Sequence, residues 1–429
     1  MLRFLVVCAV MFCQSTLFSL LSDPIKFRDY FPPPSVPHTS YSYNNDLPTY
    51  REKFEKPTPD WLVETVQSEL AFFKEHPITQ KGLAATQSKI ASHGYPRTHY
   101  LRRYRIIEGK IYARGYIGVN DVETDWILRT LARLSDIVGV PQLPNVDFII
   151  NHNDGMPMHY DPPEFWITDD KNDQAPILSG GKRADAPYVV LIPHRTPMPG
   201  WTLLVNQTLQ CRCPWKEKKR EAAWRGNIVL NEVDIWSSPD DELLDACTRA
   251  PRNVICSLSQ KRPDLINAGF SANLDWIPSK SFVRAMAPFT KGHLPPAEHI
   301  RYAYLPVLDG AMISGGGYEW RLLSNSLVFK PESPFIAWFE RGLKPYVHFL
   351  PIHGNLDDLV EKILWARAHD KECEQMANNG ASFAEENLRS EGQYFYIFRL
   401  LEEYEKCQAF NTKDLLEECE RDADWVRIR

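Results

Sequence analysis

Tyr302-Ala303-Tyr304-Leu305-Pro306-Val307-Leu308-Asp309-Gly310, then Ser314-Gly315-Gly316-Gly317-Tyr318-Glu319-Trp320-Arg321-Leu322-Leu323-Ser324-Asn325-Ser326-Leu327-Val328-Phe329, reads as strand, glycine-rich loop, helix and strand. The first run is apolar and aromatic without alternation, as in a strand buried on both faces. A helix is expected to begin at Trp320 and the next strand at Ser326. Strand, helix, strand implies a crossover connection and a parallel sheet. Ligands of such sheets bind beyond the carboxyl ends of the strands. Free amides at a helix start receive a diphosphate, and Arg321 supplies countercharge. The alternative is a flexible loop with no ligand. No Gly-Lys-Ser/Thr follows the glycines, so this is no P-loop, and the dinucleotide fingerprint is absent.

The same logic extends upstream. Trp224-Arg225-Gly226-Asn227 falls between a helix and a strand. The arginine fork suits phosphate oxygens, and glycine lets the backbone approach closely; a surface arginine stacked on tryptophan is the alternative. Asn227–Leu230 and Asn253–Cys256 read as short strands flanking a helix at Asp240–Arg249. Asp147–Asn151 is a short apolar strand running into His152-Asn153-Asp154-Gly155-Met156-Pro157. A carboxylate placed there, Asp154, can act as a general base, although Asn-Asp-Gly is also plain turn chemistry. Tyr188–Ile192 is another strand. Helical stripes run over Trp61–Glu75, with Asp60 as cap, and over Asp121–Val138. Asn355–Ala368, Lys371–Leu388 and Gly392–Cys407 are helical too. The pattern describes two α/β domains with a cleft between them, closed by C-terminal helices.

At 429 residues the chain suits two or three domains. A net charge of -6 and no basic patch exclude a nucleic-acid partner. Residues 1–22 have one basic residue before an apolar core, the layout of a signal peptide or membrane anchor. Residues 23–60 are rich in Pro and Tyr and read as a linker. Seven cysteines follow the leader, and Cys247 with Cys256, and Cys407 with Cys419, are near enough in sequence to pair. Asn206-Gln207-Thr208 is a glycosylation sequon. No apolar strand ends in Asp-x-Asp, so a carboxylate-held metal is not indicated. His152, His159 and His194 read as structural. The common hydrolase motifs are missing.

The order and spacing of these segments resemble glycosyltransferase family 90, which holds protein O-glucosyltransferases and capsule-associated xylosyltransferases. The resemblance covers roughly residues 145–405. It is carried by His299-Ile300-Arg301-Tyr302, Asp309-Gly310, Trp320 to Lys330, Trp338-Phe339, Leu343 to Ile352, the Asn355-Leu356-Asp357-Asp358-Leu359 helix start, and Trp-Arg-Gly at 224–226. It implies a GT-B fold, with two Rossmann-like domains, an interdomain cleft and C-terminal crossing helices. The corresponding boundaries are 61–215 for the acceptor side, 216–385 for the donor side and 386–429 for the closing helices and tail. It further implies a UDP-sugar donor, a protein or glycan acceptor, inversion at the anomeric carbon, and no metal or other cofactor. Carried across by position, Asp154 is the base. Arg225, Gly226, Arg321, Leu322, Leu323, Ser324 and Asn325 bind the donor. With the leader, the resemblance places the chain in the ER or Golgi lumen or at the cell envelope.

The chain departs from the family in places. Ala303 stands where a lysine is usual, Asn227-Ile228-Val229 where Ser-Arg often follows, and His194-Arg195 where aspartate is commoner. The loop Ile313–Tyr318 is richer in glycine than usual. No retention signal occurs in Trp425-Val426-Arg427-Ile428-Arg429. A non-catalytic glycan- or protein-binding member of the same fold is therefore the rival reading. A glycoside hydrolase ranks last, since it needs two facing carboxylates and only one acid is well placed.

Overall fold

The computed structural model describes residues 47–91, 101–114, 122–139, 142–152, 155–156, 167–193, 199–230, 233, 235–271, 274–313 and 315–427. The leader 1–22 and the linker up to residue 46 lie outside them. The stretch Leu47–Glu55, read as linker, is a helix.

The first half of the chain supplies β1 (Leu101–Ile107), β2 (Lys110–Arg114), β3 (Val146–Asn151), β4 (Ile177–Ser179), β5 (Lys182–Arg183) and β6 (Val189–Leu191). The second supplies β7 (Lys219–Gly226), β8 (Ile266–Phe270), β9 (Tyr302–Pro306), β10 (Leu327–Pro331), β11 (Phe335–Ile336), β12 (Leu350–Ile352) and β13 (Trp425–Arg427). One sheet has six strands in the order β13-β2-β1-β3-β4-β6. It is antiparallel from β13 to β3 and parallel from β3 to β6. The other has five strands in the order β12-β10-β9-β7-β8, all parallel. Numbered by their own sequence order and read from β8, these five run 2-1-3-4-5, a doubly wound arrangement. A two-stranded ribbon, β5 with β11, links residues of the two halves.

Charged side chains inside β1 explain why the sequence does not announce that strand. Asp147 on β3 is fully buried. It accepts from Arg103 Nε at 2.6 Å, Arg105 Nε at 2.7 Å and Gln80 Nε2 at 3.1 Å. Arg105 lies 4.0 Å from the Trp425 ring centroid. Two arginines are thus enclosed on a strand because Asp147, with Glu418 3.2 Å from Arg105 Nη1, and an aromatic face receive them.

Several expectations are corrected. Asn253–Cys256 is not a strand but the middle of the helix Pro251–Lys261. Its buried side chains, Asn253, Ile255, Cys256 and Ser259, follow helical spacing, and Pro251 occupies a first-turn position. Asn227–Leu230 forms no strand. Trp224-Arg225-Gly226 ends β7 instead of preceding a strand. The glycine triplet is not a loop but the first turn of the helix Gly315–Leu323, which puts Arg321 in its last turn. The helix read over Trp61–Glu75 is divided into Asp60–Glu69 and Ala71–Glu75, with Pro59 as N-cap in place of Asp60. Cys247, Cys256, Cys407 and Cys419 are free thiols. Cys247 and Cys256 sit on successive helices in the core of the parallel sheet, and burial pushes both thiols up to about 12. Thr208 of the sequon is buried and donates to Leu204 O at 2.8 Å. Among the described residues no helix is long and apolar enough to cross a membrane.

The helix Asp370–Asn387 packs on Gly315–Leu323 at Gly380. A Cβ there would lie 2.6 Å from His348 O and 3.1 Å from Leu322 Cδ2. Overpacking of this kind costs about 1–3 kcal/mol, against about 1 kcal/mol that alanine gains over glycine in a helix. The nearest atom is a backbone oxygen, which yields less readily than a side chain, so the cost falls at about 2–3 kcal/mol and Gly380→Ala should lower stability by about 1–2 kcal/mol net, read from the denaturant midpoint. An unchanged or raised midpoint would show that the two helices slide apart freely.

Candidate functional site

The strand order reverses between β7 and β9, so the crevice outside their carboxyl ends is where a doubly wound sheet takes its ligand. Arg225 and Gly226 end β7, and Val307 to Gly310 follow β9. Arg252, at the start of the helix Pro251–Lys261, ties the two ends together. It donates to Asn227 O at 2.9 Å and to Asp309 O at 2.7 Å. Gly310 makes room for it: a Cβ there would meet Arg252 Nη2 at 2.9 Å. The sequence reading missed Arg252, because its role arises from crossing two strand ends and no local pattern records that. Ser333 Oγ hydrogen-bonds Asp309 Oδ2, while Asp309 Oδ1 has no partner.

Two further guanidinium groups are enclosed nearby, and Arg321 is within reach of the Arg252 charge. Arg225 donates through Nη1 to Asn267 O at 2.9 Å and through Nη2 to Asn267 Oδ1 at 3.0 Å. Its Nε is buried without a partner. Arg321 is buried, and its side chain turns back along its helix so that Nη1 reaches Gly317 O at 2.8 Å. Its guanidinium lies 4.5 Å from the Trp320 ring centroid, and its Nε is also unpartnered. Burial, and then the Arg252 charge, pull Arg321 below its ordinary value. Burial does the same to Arg225.

His299 feels the charges of both Arg321 and Arg225. It is 4% exposed, and neither ring nitrogen has a partner. Burial, followed by the charges of Arg321 and Arg225, holds it down to about 3. The imidazole is therefore neutral in the fold, whereas in the unfolded chain it takes a proton as pH falls below about 6.5. Its contribution to stability is present above that value and is lost as pH falls toward 3. Between pH 7 and pH 5 the wild type should lose about 2 kcal/mol more than His299→Phe does, measured by chemical denaturation at both pH values. Equal losses would show that His299 gains a proton without strain.

Among the other sequence-derived candidates, Leu322 and Leu323 are buried in the hydrophobic core. Ser324 Oγ donates to Arg321 O at 2.6 Å and closes the helix. Asn325 has a left-handed φ of 57° and an unpartnered Oδ1. These four precede β10 and so lie at its amino end, at the edge of the sheet opposite Gly226. Ala303 is fully buried within β9. His152 is structural, with its Nε2 3.0 Å from Tyr104 Oη. Asp154, His159 and His194 lie outside the described residues.

Gly155, the residue next to Asp154, ties the first sheet to this crevice. It follows the carboxyl end of β3, and a Cβ on it would lie 2.5 Å from Met312 Cε and 2.7 Å from Gly181 O. Met312 belongs to the segment after β9 that begins at Val307. Gly155 therefore packs against the segment that carries Asp309.

The sequence model of Glycosyl transferase family 90 matches residues 56–420. Protein O-glucosyltransferase 3 of Mus musculus is 27% identical over 319 residues, which is 71% of this chain and 55% of the mouse protein. Its Rattus norvegicus counterpart is 26% identical over 341 residues, 76% of this chain and 59% of the rat protein. Protein O-glucosyltransferase 1 of Homo sapiens is 27% identical over 199 residues, covering 46% of this chain and 45% of the human protein. The chain thus spans between about half and three-fifths of the length of the two Protein O-glucosyltransferase 3 relatives.

Proposed function

The chain belongs to glycosyl transferase family 90, and from that premise we propose that it transfers glucose or xylose from a UDP-sugar to a hydroxyl group of a protein acceptor, with inversion at the anomeric carbon. The observation that carries the proposal is the set of enclosed guanidinium groups, Arg252 across the ends of β7 and β9, Arg225 at the end of β7 and Arg321 within reach of the Arg252 charge, with Gly155, next in sequence to Asp154, pressed against Met312.

Three buried or half-buried cations with spare N–H groups suit a diphosphate, whose charge grows as it leaves. Asp154 takes the acceptor proton as that oxygen attacks C1. The new bond forms from the acceptor oxygen to C1, the bond from C1 to the diphosphate oxygen breaks, and UDP departs against Arg225 and Arg321. Gly226 lets the diphosphate approach the end of β7. Leu322 to Asn325 seat the helix that presents Arg321. The arginines take the charge-neutralising role, so the chemistry proceeds without a divalent metal. The two sheets are the lobes of a GT-B fold, with residues 61–215 on the acceptor side, 216–385 on the donor side and 386–429 closing them. The leader 1–22, as signal or anchor, routes the chain into the secretory pathway.

The test is UDP release by the purified chain with a panel of UDP-sugars, with and without EDTA. Donor-dependent release that survives EDTA is expected. No release with any donor, together with no UDP binding, would overturn the assignment and favour a non-catalytic binding protein.

A further inference from the structure

At the far edge of the parallel sheet a second polar cluster follows β12, two strands away from β9 and its arginines. His353, Asp357 and Asp358 place one ligand atom each within 4.8 Å of one another. His353 Nδ1 lies 2.6 Å from Asp357 Oδ1. Asp358 is 9% exposed; its Oδ1 accepts from His353 N at 3.0 Å. Its Oδ2 is buried and has no partner among the described residues.

The position of Asp358 offers an ordinary explanation that the geometry does not support. It is the N-cap of the helix Leu359–Ala368, where a carboxylate normally accepts from the first-turn amides. Here the side chain makes no cap hydrogen bond. A buried carboxylate oxygen without a partner is costly, so it calls for a proton, a water or a cation. Glu332 adds further negative charge at His353, and its carbonyl lies 2.9 Å from where a Cβ on Gly354 would be, so the loop is pressed against it.

We propose that His353, Asp357 and Asp358 form a binding site for a first-row divalent cation of the zinc class. One imidazole and two carboxylates match that class, whereas calcium and magnesium favour oxygen-only shells. A tetrahedral ion would bring the three ligand atoms to about 3.3 Å apart. The side chains of His353 and Asp357 are 59% and 62% exposed and can turn to close that distance. Water completes the shell. The ion joins the loop after β12 to the start of the following helix. The site stands apart from the transfer chemistry and does not rest on the transferase reading.

The test uses the full chain, stripped with EDTA and dialysed. Zn2+ is titrated by calorimetry and Co2+ by visible absorption. One zinc per chain is expected. Loss of an outer-sphere partner alone costs a metal site about 10–100-fold in affinity, so His353→Gln and Asp357→Asn should each weaken binding by at least about 10-fold. Asp358→Asn, which keeps an acceptor for His353 N, should do the same. The cobalt spectrum should show no thiolate charge-transfer band, since Cys211 and Cys213 are the competing ligands near the surface. Zinc should raise the thermal midpoint of the wild type and not of the variants. Wild-type affinity in His353→Gln and Asp357→Asn, a thiolate band, or no bound zinc would each overturn the proposal. These readouts need no transferase activity, so either reading can fail without the other.

Discussion

Asp154→Asn will lower turnover of the UDP-sugar by about 10²–10⁴-fold, the range a positioned general base contributes. UDP affinity and thermal midpoint will stay at wild-type values. Asparagine keeps the shape and the turn propensity of aspartate but cannot accept the acceptor's proton. The loss should therefore fall on kcat and leave donor binding alone, because the missing interaction exists only as the acceptor oxygen attacks. The neighbouring glycine is tightly enclosed. A Cβ on Gly155 would collide with Met312 and with Gly181 O, so Gly155 itself is held where β3 meets the segment after β9. The assay is UDP release under donor saturation, beside UDP titration calorimetry. A variant that retains most of its turnover would remove Asp154 from the mechanism. A variant that loses UDP binding as well would mean that the turn shapes the donor crevice and is not the base.

The parts of this fold that could be read in advance are those where one local period dominates. The helices Val122–Val138, Asp370–Asn387 and Ser390–Cys407 and the strand Val146–Asn151 lie close to where periodicity places them. The misreadings have specific causes. Val254-Ile255 looked like a strand because a short apolar run does not distinguish strand from buried helix. The three glycines at 315–317 read as a loop because their intrinsic helix cost is high, yet they form the first turn of a helix. β1 was hidden because Arg103 and Arg105 are paired with an aspartate that is 42 or more residues away. Of the candidate site, Arg225 and Arg321 are picked out by residue chemistry and by the resemblance together. Arg252 and His299 were not, since one acts by bridging two strand ends and the other by what it lacks.

Arg225→Ala and Arg321→Ala will each lower kcat/KM for the donor by about 10²–10³-fold, the cost of removing one preorganised donor from developing charge. The double variant should lose less than the product of the two, because both groups serve one leaving diphosphate. The reason lies in their present surroundings. Each holds an unpartnered Nε, and both are pulled below their ordinary values chiefly by burial. His299 is held neutral by burial and then by both of their charges. Such an arrangement is unfavourable while empty and favourable once a dianion enters, so UDP should raise the thermal midpoint of the wild type. It should raise that of the double variant far less. Arg321→Lys should recover only part of the rate, since a lysine supplies a point charge but not the fork. Its single ammonium must also serve both Gly317 O and the phosphate. If Arg321→Ala turns over at the wild-type rate while Arg225→Ala does not, Arg321 is a buried structural cation stacked on Trp320. Arg252, already fixed across the ends of β7 and β9, would then become the second cation facing the diphosphate.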